Sequence, residues 1–117
     1  MVEPEAARQL ALSLPGTIEQ DHFGKPSFRV NNRIFSTLWV KEQRMMVKLS
    51  PIDQSVFGSF DHEIFYPVPN KWGLQGATFV ELSKVPVEML KDALSVAWKT
   101  LQNVKPGNLL SFQSGTV

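Results

Sequence analysis

Histidine and carboxylate side chains are present in the chain, but their spacing does not build an active site. His22 stands beside Asp21, yet neighbouring residues of a strand point to opposite faces and cannot act as an acid–base pair. His62 stands between Asp61 and Glu63, and three consecutive residues rarely converge on one ion. We therefore predict a loop position for His22 and a surface turn for His62, with no catalytic residue and no metal site.

Other patterns that carry chemistry are missing from the sequence. The 117 residues include no cysteine, which excludes disulfides, thiolate catalysis and zinc sites built on sulfur. Gly24-Lys25 is similar to the end of a P-loop, but the earlier glycine and the correctly placed Ser or Thr are lacking. No serine has the context of a nucleophile elbow. The sequence therefore predicts no cofactor and favours a non-enzymatic domain.

Positive charge is concentrated in one segment, although 12 basic and 11 acidic residues give the whole chain a net charge of only +1. Six basic residues between Lys25 and Lys48 stand against a single acid, Glu42. Basic side chains neutralise phosphates, and exposed aromatic or apolar neighbours can stack on bases or fill a groove. The segment predicts a DNA-binding face whose hairpin tip enters a groove as a β-ribbon does. The candidate nucleic-acid-binding residues are Lys25, Arg29, Arg33, Arg44 and Lys48.

Other interpretations of the basic segment stay open. Exposed strand faces carry long solvated side chains even where no ligand binds. The same face could bind another protein or a second copy of the chain, since exposed apolar residues often mark interfaces. A pocket lined by His22, Lys25 and Trp72 would instead favour a small-molecule ligand, whereas a flat basic face would favour DNA. Trp72 is otherwise predicted to pack on the sheet, and Trp39 and Trp98 in the core.

Hydrophobic periodicity and turn residues predict the elements that position these side chains. Apolar residues at helical spacing predict one helix over residues 4–13, a second over 51–60 and a third that begins at Pro86 and ends at Pro106-Gly107. Strand-like runs cover residues 17–21, 26–30, 33–40, 44–49, 64–68 and 77–82. Because asparagine tolerates positive φ, Asn31-Asn32 predicts a two-residue type I′ hairpin turn.

This turn predicts which residues share a sheet face, since side chains alternate along a strand. We expect a three-residue loop before Arg44, because that register gathers the large apolar residues on one face; a two-residue loop would swap the partners. The expected core face carries Phe28, Val30, Phe35, Thr37, Trp39, Met45, Val47 and Leu49. The opposite face would show Arg29, Arg44 and Lys48 among Ile34, Leu38, Val40 and Met46.

The element order predicts an α+β fold, an antiparallel β-sheet with the N- and C-terminal helices packed on one face. The opposite sheet face then stays uncovered unless something binds it. We expect one domain over residues 1–104 and a C-terminal tail over 105–117. The acidic N-terminus lacks the apolar run of a signal peptide, and no apolar stretch is long enough to cross a bilayer. The expectation is a cytoplasmic protein with no membrane partner.

Six short motifs follow one another between about residues 7 and 101. They are LPGT from Leu14, DHFGKPSFRV from Asp21, IFSTLW from Ile34, KLSP from Lys48, FYPVP from Phe65, and WG from Trp72 with GATFV from Gly76. In this order they resemble the signature of the MmcQ/YjbR family. One departure is Asn31-Asn32, where the family pattern leads us to expect Asn-Gly.

The resemblance implies a CyaY-like (frataxin-like) α+β fold, in agreement with the element order. It also implies a proposed "double wing" similarity to DNA-binding proteins, in which hairpins contact nucleic acid. It brings no enzymatic reaction. Frataxin-like folds elsewhere bind iron through an acidic helix, but the first helix here offers only Glu3 and Glu5. We therefore do not transfer the iron-binding role.

Overall fold

Residues 1–102 are described by a computed structural model. The predicted tail at 105–117, the domain end at 104 and the helix end at Pro106-Gly107 lie outside the described residues. The elements are α1 (Pro4–Leu12), β1 (Ile18–His22), β2 (Lys25–Val30), β3 (Arg33–Trp39), β4 (Arg44–Lys48), α2 (Pro51–Phe60), β5 (Phe65–Pro67), α3 (Lys71–Leu74), β6 (Ala77–Glu81) and α4 (Val87–Gln102). The strands form one antiparallel sheet in the order β1-β2-β3-β4-β6-β5.

The N- and C-terminal helices cover one face of this sheet. α1 begins at Pro4, which suits a first helical turn, and buries Ala7 and Ala11. α4 buries Leu90 and Leu94 through an apolar stripe, and it packs on β2, β3 and β4 while α1 packs on α4 and β3. Each fully buried leucine contributes about 1.5–3 kcal/mol. The predicted α+β architecture, with its terminal helices on one face, is confirmed.

The β2–β3 hairpin forms through the predicted turn. Asn31 and Asn32 have φ angles of 54° and 63°, and Val30 pairs with Arg33. The Asn31 side chain also donates a hydrogen bond of 3.1 Å to the backbone carbonyl of Leu101 at the end of α4. The hairpin tip that carries Arg33 is therefore tied to the last described turn of the chain.

A β-bulge in β3 makes part of the predicted face assignment wrong. Arg29 pairs with Ile34 but Phe28 pairs with Ser36, so Phe35 is an extra residue on β3. Beyond this point every side chain of β3 changes face. Trp39, which we expected in the core, consequently turns to the uncovered face. The same correction moves Thr37 to the uncovered face and Leu38 to the covered one.

The turn between β3 and β4 is also longer than predicted by one residue. Trp39 pairs with Arg44, which leaves a four-residue turn over residues 40–43 instead of the predicted three residues. The bulge and the longer turn each shift the register by one residue, so their effects on the faces of β4 cancel. Met45 is therefore buried on the covered face as predicted, and Arg44 lies on the uncovered face.

Candidate functional site

Among residues 1–102, nothing covers the sheet face opposite the two terminal helices, and this face forms a cleft of about 1070 Å³. Every strand contributes to it, because each places alternate side chains on this face. We call this surface the open cleft. Its lining includes His22 from β1, Lys25 and Arg29 from β2, Ile34, Thr37 and Trp39 from β3, Arg44, Met46 and Lys48 from β4, Tyr66 from β5, Ala77 and Phe79 from β6, and Trp72 from α3.

The floor of the open cleft consists of aromatic rings with cations stacked on them. The Trp39 and Phe79 rings meet edge to face with their centroids 4.9 Å apart. The guanidinium carbon of Arg44 lies 3.8 Å from the Phe79 centroid and 4.9 Å from that of Trp39. The Lys25 ammonium lies 4.5 Å from the Trp39 centroid. Stacking of this kind attracts a cation to the ring face and limits the conformations of Arg44 before any ligand arrives.

A short polar chain runs beside Arg44. The Arg44 Nη1 lies 3.5 Å from the Tyr66 hydroxyl, and this hydroxyl donates a hydrogen bond to the carboxylate of Glu81. Burial raises the pKa of Tyr66, and the hydrogen bond to Glu81 raises it further, so the hydroxyl remains a neutral donor. The Arg44 Nε is buried and has no hydrogen-bond partner among residues 1–102.

The predicted basic residues come together in this one cleft. Arg29 donates from its Nε to the Ser27 hydroxyl at 3.2 Å, while Lys48 and Arg33 are exposed. Within the described part of the chain, the ion pairs are made by Arg8, Lys84 and Lys91, and by none of the five candidate residues. No ion pair within residues 1–102 therefore neutralises the charge of the five candidate residues. The five residues that line the cleft are Lys25, Arg29, Arg33, Arg44 and Lys48.

The two candidate pocket residues, His22 and Trp72, lie towards opposite edges of the sheet and line the same cleft. Beside His22 lies Phe23, which was not among the candidate residues. Phe23 is 90% exposed, and its ring centroid lies 4.7 Å from that of His22. Phe23 and Gly24 have φ angles of 53° and 83° and form the turn between β1 and β2. The sequence signal that could have identified Phe23 was this Phe-Gly pair at a hairpin tip.

Trp72 is 63% exposed, so the expectation that it packs on the sheet is wrong. The backbone around Trp72 is nevertheless closely constrained. The Asn70 side chain caps α3 by accepting a hydrogen bond from the Trp72 N–H at 3.1 Å. At Gly73, an added Cβ would come within 1.8 Å of the Val68 carbonyl oxygen. Asn70 itself has φ 74° and ψ −161°, a region that residues other than glycine rarely adopt. We predicted a loop here because four helical residues are too few for a periodic pattern.

His22 and Asp21 do not form an acid–base pair. His22 pairs with Lys25 and faces the cleft, whereas Asp21 pairs with Pro26 on the other face and accepts a hydrogen bond from the Gly24 N–H. No group of three His, Cys, Asp or Glu side chains in this range could hold a metal ion. None of the helices described is long and apolar enough to cross a membrane.

Comparisons with known proteins agree on the fold. The sequence model of the YjbR family matches residues 12–100. The crystal structure of the Deinococcus radiodurans protein DR2400, a DUF419 domain, superposes with a TM-score of 0.76 at 16% identity, over 98% of this chain and 91% of that one. At this identity the likeness concerns the fold alone. No curated protein matches the sequence.

Proposed function

The chain belongs to the YjbR family, and we propose that it is a non-enzymatic DNA-binding domain that uses the open cleft. The observation that carries the proposal is the convergence of five basic residues, none of them ion-paired within residues 1–102, on one aromatic-floored surface. Glu81 is the acid nearest to Arg44 in the sheet register, and its carboxylate accepts from Tyr66. No Asp or Glu among residues 1–102 lines the cleft, so the surface has a local positive charge that the net charge of +1 conceals.

His22, Lys25 and Trp72, which we named as the lining of a small-molecule pocket, all line the cleft. However, His22 and Trp72 lie towards opposite edges of the sheet instead of converging on one point, which supports a polymer better than a small molecule. Small-molecule sites span roughly 300–1,000 Å³ and bury most of the ligand. The open cleft, at about 1070 Å³, is at the upper limit of that range and extends across all six strands. Its cations are spread over β2, β3 and β4 instead of converging on one point. A chain of phosphates matches this spread.

The test is fluorescence anisotropy of labelled duplex and single-stranded DNA over a salt series. If all five cations contact phosphates, log affinity should fall against log salt with a slope of about −4.5 for duplex or about −3.5 for a single strand. Reversing charge in the double variant Arg29→Glu, Lys48→Glu should abolish binding. The matched control is Lys91→Glu, an exposed lysine on α4 outside the cleft lining. Unchanged affinity in the double variant would reject the proposal.

A second candidate function is a protein-interaction or self-association module that uses the same surface. The observation in its favour is that Ile34 and Met46 are only half-buried and stand between the basic side chains of the cleft. Sedimentation velocity over a range of concentrations tests self-association. A dimer that Ile34→Lys dissociates would support it, and a concentration-independent monomer without partners in pull-downs would count against the module.

A further inference from the structure

Two exposed aromatic rings stand at the ends of the open cleft. Phe23, at the β1–β2 turn, is 90% exposed, and Trp72, on α3, is 63% exposed. Water contact is unfavourable for both rings, and neither ring is buried by the rest of residues 1–102. Both line the same surface as the basic residues, so a ligand that enters the cleft meets rings as well as cations.

The local backbone does not require an aromatic side chain at either position. Phe23 has φ 53° in a two-residue turn with Gly24, and such turns strongly favour asparagine, aspartate or glycine. Trp72 stands in a helix of four residues whose N-cap, Asn70, is held at φ 74°. Backbone strain of this kind is maintained by surrounding structure and concentrates at ligand-binding segments. Neither turn formation nor core packing accounts for the two rings.

We propose that the open cleft binds single-stranded DNA, with unpaired bases stacked on Phe23 and Trp72 and phosphates on the cations between them. This inference rests on the proposed DNA-binding function and specifies the form of DNA. A duplex keeps its base faces stacked inside and offers them to the two rings only where base steps are unstacked, which costs free energy at each such step. A single strand offers both phosphates and base faces, and aromatic stacking tolerates any sequence.

The dimensions of the sheet set the length of strand required. Six strands spaced at about 4.8 Å give a sheet roughly 24 Å wide. Phe23 follows β1 at one edge, and Trp72 follows β5 at the other. A DNA strand must therefore extend over several nucleotides to touch both rings. Arg44, stacked on Trp39 and Phe79 between these edges, is the fixed cation that such a strand crosses.

The experiment compares a labelled oligothymidylate of about 12 nucleotides, within the range of known single-strand sites, with a duplex of equal length. Anisotropy is measured on wild type, Phe23→Asn, Trp72→Ala and Trp72→Phe. The single strand should bind at least tenfold more tightly than the duplex. Phe23→Asn and Trp72→Ala should each weaken it by about tenfold, the loss expected for one stacked base, and Trp72→Phe should recover most of the loss. Duplex affinity should stay within twofold in all variants.

Two controls separate stacking from a general loss of structure. Phe60→Ala removes an exposed aromatic residue from α2, outside the cleft lining, and should leave single-strand affinity unchanged. Asparagine suits the β1–β2 turn better than phenylalanine, so Phe23→Asn should bind more weakly without a lower melting temperature. A loss of affinity that follows melting temperature in every variant would overturn the stacking role.

The outcomes distinguish this inference from the proposed function. Duplex binding as tight as single-strand binding, with no effect of Phe23→Asn or Trp72→Ala, overturns the single-strand inference and leaves DNA binding in place. No binding of either DNA at low salt overturns both. Binding of a matched RNA strand without binding of the DNA strand overturns the choice of DNA.

Discussion

The two faces of the sheet are built from alternate residues of the same strands and obey different physical rules. On the covered face, Phe28 and Phe35 are fully buried beneath the terminal helices. On the open cleft, Arg44 is stacked over the contacting rings of Phe79 and Trp39. Hydrophobic burial holds the first face and tolerates exchange of one apolar residue for another of similar volume. Cation–aromatic geometry holds the second and depends on residue identity. The covered face therefore stabilises the fold, whereas the open cleft is the part available to a ligand.

The neighbours Met45 and Met46 provide the sharpest comparison of the two faces. Met45 is fully buried on the covered face, and Met46 is half-buried in the open cleft. Met45→Ala leaves a cavity and should lower the free energy of unfolding by about 2–5 kcal/mol. Met46→Ala loses only part of its burial and should lower it by about 1 kcal/mol or less. Urea denaturation of both variants measures the difference. Equal losses would show that the open cleft is as closely packed as the core.

Two glycines test whether the segment that carries Trp72 is as tightly held as its contacts indicate. A Cβ at Gly73 would meet the Val68 carbonyl oxygen at 1.8 Å, so Gly73→Ala must displace backbone and should cost about 1–3 kcal/mol. At Gly58, inside α2, a Cβ would have an ordinary contact of 3.6 Å with the Phe65 carbonyl oxygen. Gly58→Ala should therefore stabilise the protein by about 0.5–1 kcal/mol through helix propensity. Urea denaturation midpoints of the two variants measure these changes. If both midpoints shifted in the same direction from that of the wild type, the close contact at Gly73 would be contradicted.

The covered face was predictable from sequence wherever the apolar pattern had one interpretation. The alternation of Met45 with Met46 left two registers open, and the choice between them rested on gathering the large apolar residues on one face. The stripe of α4 matches only one arrangement. β3 does not, because Ile34, Phe35, Leu38 and Trp39 make both of its faces apolar. One extra residue in such a strand leaves the apolar pattern compatible with both faces, but it changes the cross-strand partner of every residue that follows. The bulge at Phe35 could therefore not be predicted from the sequence, and neither could the sheet face on which Trp39 lies.

The basic residues of the open cleft were predicted together, partly because two errors cancelled. The bulge and the four-residue turn each shift the register by one, which returns Arg44 and Lys48 to the face of Arg29. Of the two rings at the ends, Trp72 was named as a candidate pocket residue, whereas Phe23 was not recognised. Phe23 occupies a turn position at which phenylalanine is unfavourable. Residue preferences predict the usual residue at such a position, so they could not indicate that an unusual one has a role there. Such exceptions emerge only when the fold shows what the residue faces.

The smallest expected effect concerns the polar chain beside Arg44. Tyr66 is the only tyrosine of the chain, so the ultraviolet absorbance of tyrosinate reports its titration alone. Burial, followed by the hydrogen bond to Glu81, raises its pKa in the folded protein. The absorbance midpoint of the folded protein should therefore lie above that of the chain unfolded in denaturant, which should be near the usual value of about 10.

The same shift predicts how stability depends on pH. Because the folded state holds the Tyr66 proton more tightly than the unfolded state, its contribution is fully present below the unfolded pKa. It is lost as the pH rises through the folded pKa. Tyr66→Phe removes this dependence, so the stability difference between wild type and variant should shrink above about pH 10, while lysine titration affects both proteins alike. A folded midpoint at or below the unfolded one would mean that Tyr66 is open to water, and that the floor of the cleft around Arg44 is not the ordered surface that its contacts describe.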